Sequence, residues 1–261
     1  MAAYSLNTAT VDLSDLDTTA TGTRMKRIVD KLLEMCPELS VFKVVNNTTS
    51  AYTVHLTWSN QTPLALLVGN SGQYILLSRL YLNSAGTGYS AVSSSSSSDV
   101  NITDNYVSIE IVRYGESLIN IAFVSGSDSL TTANAMLLKL SDQFMEKNKE
   151  AIFHGYSNNG YYSSISTLTV SYKNGSTTTA YVGSFISADS LTPNGMYFAI
   201  PIAFHTTATA DPFSGFPYGD CRLYYIYSGT TQKKFSDRLT RFTLGGKNFI
   251  SLTETICLKI D

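Results

Sequence analysis

The chain has 261 residues, a formal net charge of -2 at neutral pH, 43% hydrophobic residues and only 15% charged ones. A length of this order holds one large β-rich domain or two smaller ones, and the slightly acidic balance excludes a protein built chiefly to grip a phosphate backbone, which needs a dense basic face. The charge content lies well below the roughly 25% of an ordinary soluble domain, so much of the surface consists of Ser, Thr, Asn, Gly and Tyr.

Residues 1–20 show little periodicity and read as an extended arm or a first irregular strand. The stretch MAAYSLNTATVDLSDLD lacks a basic segment followed by an apolar run, and no uninterrupted apolar run approaches the ~18 residues of a membrane helix. No membrane partner is expected. Asp12, Asp15 and Asp17 form an acidic cluster without the glycine and closing glutamate of a calcium loop, so capping or solvent exposure is their expected role.

The segment TGTRMKRIVDKLLEMCP places Met25, Ile28, Val29, Leu32, Leu33 and Cys36 at helical spacing. Thr21 or Thr23 is available as the cap and Pro37 as the stop. In AYTVHLTW, Tyr52, Val54, Leu56 and Trp58 alternate with Thr53, His55 and Thr57, the period of a strand with one face in the core; His55 then belongs to the surface. PLALLVG and QYILLSRLYL, joined through Asn70, Ser71 and Gly72, read as a hairpin covered on both faces. YVSIEIVRY and SLINIAFV, joined at Gly115 and Glu116, read as a second hairpin.

Between the two hairpins lies NSAGTGYSAVSSSSSSDVNITD, with six consecutive serines, Ser93 to Ser98. It shows no periodic apolar face and reads as a long exposed connection, residues 83–104, either an idle flexible loop or one ordered by a neighbouring subunit. From Asp128 the spacing of Leu130, Ala133, Leu137, Leu140 and Phe144 predicts a second amphipathic helix capped by Asp128 or Ser129.

Beyond this point the pattern is all β: ISTLTVSY, TTTAYVGSFI, GMYFAIPIAF, CRLYYIYS and FISLTETICLKI are strand candidates, with KNGS, TPNG and LGGK as turns. The expected fold class is therefore α+β and β-rich. Residues 1–154 form an antiparallel sheet with two amphipathic helices, and residues 155–261 form an all-β, sandwich-like domain. Between Gly155 and Thr230 only Lys173, Asp189, Asp211, Asp220 and Arg222 are charged. Uncharged polar groups and tyrosines are less costly to bury than ions, so this region suits packing against neighbours.

No catalytic constellation is visible. G-x-S-x-G, a phosphate loop, a dinucleotide fingerprint and H-E-x-x-H are all missing, and GNSGQ reads as a hairpin turn. His55, His154 and His205 are far apart, and Cys36, Cys221 and Cys257 show no paired spacing. No metal, no cofactor and no enzymatic activity are expected. The candidate binding residues are aromatic. Phe213, Phe216 and Tyr218 stand among prolines and glycines with Asp220 and Arg222 beside them, and Tyr156, Tyr161 and Tyr162 form a second group in GYSNNGYY. Aromatic faces beside hydrogen-bonding groups suit both sugar rings and protein hot spots.

The last residues, FTLGGKNFISLTETICLKID, with an F-x-x-G-G-x-x-F turn followed by a final apolar strand, resemble the C-terminal hairpins of bacteriophage virion proteins. The matching motif spans Phe242 to Asp261. The resemblance implies a non-enzymatic structural subunit of a phage virion or phage-tail-like particle (tail, baseplate or neck), assembled in the host bacterial cytoplasm as a homo-oligomer with other virion proteins. The alternative is a carbohydrate-binding or host-receptor-recognition module that reads a host-surface glycan. No nucleic acid partner is expected under either reading.

Overall fold

A computed structural model describes residues 4–58, 64–82, 88–91, 96–115, 118–127, 132–140, 149–156, 167–171, 177–184, 197–205, 215–216, 222–228, 231–253 and 255–261. In chain order the first elements are β1 (Tyr4–Asp12), α1 (Thr21–Met35), β2 (Leu39–Asn47), β3 (Tyr52–Trp58), β4 (Leu64–Ser71), β5 (Tyr74–Leu82), β6 (Tyr89–Ala91) and β7 (Ser96–Asn101). There follow β8 (Tyr106–Tyr114), β9 (Leu118–Ser125), β10 (Thr132–Leu140), β11 (Lys149–Tyr156), β12 (Thr167–Ser171), β13 (Thr177–Ser184) and β14 (Tyr197–His205). The last are β15 (Gly215–Phe216), β16 (Leu223–Ser228), β17 (Thr231–Gln232), β18 (Arg241–Leu244), β19 (Lys247–Ser251) and β20 (Ile256–Lys259).

Two antiparallel sheets organise these strands. One has 14 strands, twelve along the path β1-β8-β9-β10-β11-β12-β13-β14-β16-β20-β19-β18 with β15 beside β14 and β17 beside β16, and the other has 6, ordered β2-β3-β4-β5-β6 with β7 beside β5. The β-rich, antiparallel expectation is met. Of the two readings of the opening residues, the strand is observed: β1 pairs along its length with β8, from Tyr4 opposite Tyr114 to Asp12 opposite Tyr106. The expected boundary between residues 154 and 155 falls inside β11.

Strand alternation divides the interior into layers. On β8, Val107, Ile109 and Ile111 face a core shared with Met25, Ile28, Val29 and Leu32 of α1 and with Tyr52, Val54, Leu56, Leu66 and Val68 of the smaller sheet. Full burial of each such aliphatic side chain stabilises the fold by about 1.5–3 kcal/mol. Val112 and Tyr114, on the opposite face of β8, meet Leu223, Tyr225, Ile250, Leu252, Ile256 and Leu258, with Tyr4 and Leu6 of β1 at the margin. The end of the large sheet therefore lies across its beginning. A third cluster, Ile226, Phe235, Phe249 and Cys257, lies on the outer face of the C-terminal strands.

The first helix forms where its periodicity predicts, but neither expected threonine caps it. Ala20 occupies the cap position without a side-chain bond. The free first-turn amides of Gly22 and Thr23 instead donate to the Thr49 carbonyl, at 2.8 and 3.3 Å, from the β2–β3 turn. Gly22 is required for this approach, since a Cβ there would stand 2.3 Å from the Thr48 carbonyl oxygen.

Other expectations are corrected. The second helix is not formed: Thr132–Leu140 is β10, paired with β9 and β11. Thr132 to Met136 are all buried, and in a strand covered on both faces the period-two signal disappears, leaving an apolar run that helical spacing fits equally well. The serine-rich connection is also partly sheet. Ser96–Asn101 pairs with β5, the Ser98 hydroxyl is buried and donates to the Ile75 carbonyl at 2.9 Å, and Val100 and Ile102 enter the core. Ser96 to Ser98 are thus ordered by their own chain, because a hydroxyl can be buried when a carbonyl accepts its proton. Finally, His55 is half-buried, not a plain surface residue: its Nδ1 is buried without a hydrogen-bond partner, and its ring lies edge-on to Tyr89 with centroids 6.5 Å apart.

Candidate functional site

Aromatic side chains on the outer face of the C-terminal strands build a cleft. Alternation along β16 sends Leu223 and Tyr225 inward and leaves Tyr224 and Ile226 on the outer face. Phe249 of β19, Phe242 of β18 and Phe235, just after β17, stack over that face. The Phe235–Phe242 centroids are 5.2 Å apart at 26°, those of Phe242–Phe249 are 5.4 Å apart at 12°, and Tyr224 meets Phe249 edge-on. Of these rings Phe235 and Phe242, together with Ile226, line a cleft of about 310 Å³ whose wall is completed by Tyr197 of β14. Tyr197 is 50% exposed, an unusual state for so large a ring.

Two lysines stand at this cleft. The Lys233 backbone N–H donates to the Ile226 carbonyl at 2.7 Å, which fixes the start of its side chain. Its ammonium then lies 5.3 Å from the Tyr197 ring centroid and 5.5 Å from that of Phe235, held by the negative faces of both rings. Lys234 follows on the same wall. Nearby, Cys257 is buried, and burial pushes its thiol pKa upward against the partial opposition of Lys233. It is an inert core sulfur.

The rim, residues 235–240, is held rigidly. The Asp237 carbonyl accepts from the Thr240 and Ser251 hydroxyls at 3.0 and 3.2 Å, and its carboxylate accepts from Ser236 at 2.9 Å. Leu239 adopts φ 53, a left-handed conformation costly for a branched side chain. Its N–H donates to the Ser251 carbonyl, and the Ser251 N–H returns a bond to Thr240. Arg238 reaches away from the cleft to Glu110 of β8. A conformation this unfavourable persists only when its surroundings over-determine it, as they do here.

The residues singled out from sequence are placed differently. Arg222 has φ 51; its guanidinium lies 4.6 Å from the Tyr114 ring centroid and donates to the carbonyl of Asp261. It pins the chain end rather than opening to a ligand. Phe216 belongs to β15 opposite Phe204, and Tyr156 belongs to β11 opposite Ala133. Phe213, Tyr218, Asp220, Tyr161 and Tyr162 lie outside the described residues. The acidic cluster serves turns and an ion pair: Asp12 accepts from Ser14, Asp17 from Thr19, and Asp15 pairs with Arg27. Among the described residues no three His, Cys, Asp or Glu side chains gather as a metal site.

The cleft residues Tyr197, Lys233, Phe235 and Phe242 were not among the sequence candidates. Their only local sign is QKKFSDRLTRF, a basic pair between a turn and two aromatics. Tyr197 joins them through sheet pairing alone.

A second exposed feature lies on the smaller sheet. β2 is its edge strand, and Val41, Phe42, Val44 and Val45 are 40–47% exposed. Register shifts between Val41 and Lys43 and between Val44 and Asn46 interrupt its pairing with β3. The Phe42 ring lies edge-on to Tyr89, with centroids 4.9 Å apart. No protein-family model, no curated protein and no solved structure matches the chain.

Proposed function

We propose that the chain is a non-enzymatic structural subunit of a phage virion or phage-tail-like particle, acting through protein–protein assembly contacts. The observation that carries this reading is the exposed apolar strip of β2, Val41, Phe42, Val44 and Val45. Isolated apolar residues on a surface are ordinary, but a contiguous strip on an edge strand marks an association surface. Its register shifts and central Lys43 hinder simple strand addition, so the contact is made by side-chain faces.

In this reading residues 1–154 form the scaffold with the β2 strip. The charge-poor region 155–261, taken as sandwich-like, supplies further contact surface. The resemblance of the Phe242–Asp261 hairpin to phage virion proteins is what supports the choice of particle and a location in the virion.

The test is molar mass by light scattering over a range of concentrations and salt. A discrete homo-oligomer that survives high salt and dissociates in Phe42→Asp and Val44→Asp variants, with unchanged circular dichroism, is the expected result. A monomer at every concentration removes self-association through β2. A second reading, a carbohydrate-binding or host-receptor-recognition module, is favoured by the cleft between Tyr197 and Phe242.

A further inference from the structure

Three properties of that cleft bear on what enters it. Its lining is largely apolar and aromatic: Phe235 and Phe242, stacked on each other, stand with Ile226 and Leu244 opposite Tyr197. Tyr197, half-exposed, leaves ring surface uncovered beside the face that Lys233 occupies. The cleft carries a cation, Lys233, beside its aromatic wall. Among the described residues Lys233 makes no ion pair; it is held by ring quadrupoles, an interaction that leaves its N–H bonds open to an acceptor.

A ligand that matches all three properties has an apolar flat face, hydroxyls for the rim and one negative charge. A pyranose stacks its C–H face on an aromatic ring, and a carboxylate on that pyranose meets a lysine ammonium. The volume of about 310 Å³ lies at the lower end of small-ligand sites and suits one or two sugar rings.

We propose that this cleft binds a carboxylate-bearing saccharide, its ring against Tyr197, its carboxylate on Lys233 and its hydroxyls toward Ser236, Asp237 and Thr240. The proposal rests on the recognition reading above and sharpens it to anionic glycans. It is independent of the β2 strip. The rim, clamped through Asp237, Leu239 and Arg238, arrives preorganised, so little ordering entropy is lost on binding.

The test is titration of the full chain with methyl glucuronide and, separately, with methyl glucoside, followed by NMR shifts. The expected result is saturable binding of the glucuronide that weakens as salt rises, with the glucoside weaker by about tenfold. Tyr197→Ala and Lys233→Met, the latter keeping the aliphatic stem, should each lower glucuronide affinity at least about tenfold. Circular dichroism verifies that both variants fold.

Equal binding of both sugars, insensitive to salt and to Lys233→Met, overturns the anionic class and keeps recognition. Binding that neither variant weakens places the sugar elsewhere and overturns the site. No saturable shift with either sugar overturns this proposal and the recognition reading together, leaving the assembly reading to its own test.

Discussion

Arg238 and Glu110 meet across 128 residues of chain through two hydrogen bonds, at 2.7 and 3.2 Å, with side chains only 15% and 12% exposed. The pair joins the turn at the cleft rim to the face of β8 that the C-terminal strands cover. Removing one partner leaves a buried charge alone. Glu110→Leu or Arg238→Met is therefore expected to cost about 3–5 kcal/mol, whereas the double change to these apolar residues of similar volume costs much less. Urea denaturation of the four proteins measures both quantities, and equal losses in single and double variants would contradict the pairing.

Arg24 is a different case, because its guanidinium is fully buried with no carboxylate bonded to it. It donates to the carbonyls of Leu13, Leu16, Ile102, Thr103 and Asp104, at 2.6–3.2 Å, and so ties the turn before α1 to the loop before β8. Arg24→Lys keeps a charge but loses the planar fork, leaving carbonyls without donors at about 1–3 kcal/mol each. A total loss of more than about 4 kcal/mol is expected on denaturation. A loss no larger than that of Lys26→Ala, on the exposed face, would show the carbonyls finding other donors.

Gly22 tests the helix start. A Cβ there meets backbone, the Thr48 oxygen at 2.3 Å and the Ala51 nitrogen at 2.4 Å, so it cannot be relieved by a rotamer change. Although alanine is the better helix former, Gly22→Ala should destabilise by about 1–3 kcal/mol. Faster amide exchange at Gly22 and Thr23, which bond to Thr49, should accompany the loss. A stabilised variant would mean the turn moves aside freely.

Acid should act on the fold in two stages. Burial, aided by Lys43, holds the His55 imidazole below its usual 6.5, so the folded state favours the neutral ring. The unfolded chain then binds the proton first, and stability is complete above 6.5 and declines beneath it. Asp12, Asp15 and Asp17 are held below 3.8 by the Ser14 hydroxyl, the Arg27 guanidinium and the Thr19 N–H, respectively. Their contribution is present above the unfolded carboxylate pKa and is lost as pH falls through their lower folded values. Melting temperature against pH should show both declines, and His55→Gln should remove only the first.

Thiol chemistry gives a further check. Burial pushes the Cys36 thiol to about 12 and raises Cys257 as well, so neither supplies a thiolate in the native state. Alkylation mapped by mass spectrometry should leave both unmodified until denaturant is added. Labelling of either at neutral pH in native protein would show that the end of α1, for Cys36, or β20, for Cys257, opens readily.

Sequence reached the fold wherever a pattern carried one meaning. Met25, Ile28, Val29 and Leu32 sit at helical spacing beside a charged face, and α1 follows. Gly245 and Gly246, with φ 57 and 71, make the two-residue turn that LGGK announces. Where both faces of an element are covered the pattern vanishes, as in β10. Where a polar residue is buried with a partner, composition misleads, as with Ser98 beneath Ile75. The cleft was hidden for another reason: Tyr197, Lys233 and Phe242 belong to three separate segments, and only pairing of β14 with β16 brings Tyr197 to the others.

The hydrophobic cluster that joins Tyr4 and Leu6 to Leu223, Ile256 and Leu258 also sets an order of events during synthesis. One face of β8 can bury itself early, against α1 and the smaller sheet. Among the described residues, the other face is covered by the final strands, so Val112, Leu118 and Met136 meet those partners only when half the polypeptide has followed them. Folding of this chain is accordingly governed by its most distant contacts and completed last at its beginning. A nascent chain arrested before Leu223 lacks these partners, and exposed apolar sheet of this kind is prone to associate with its neighbours.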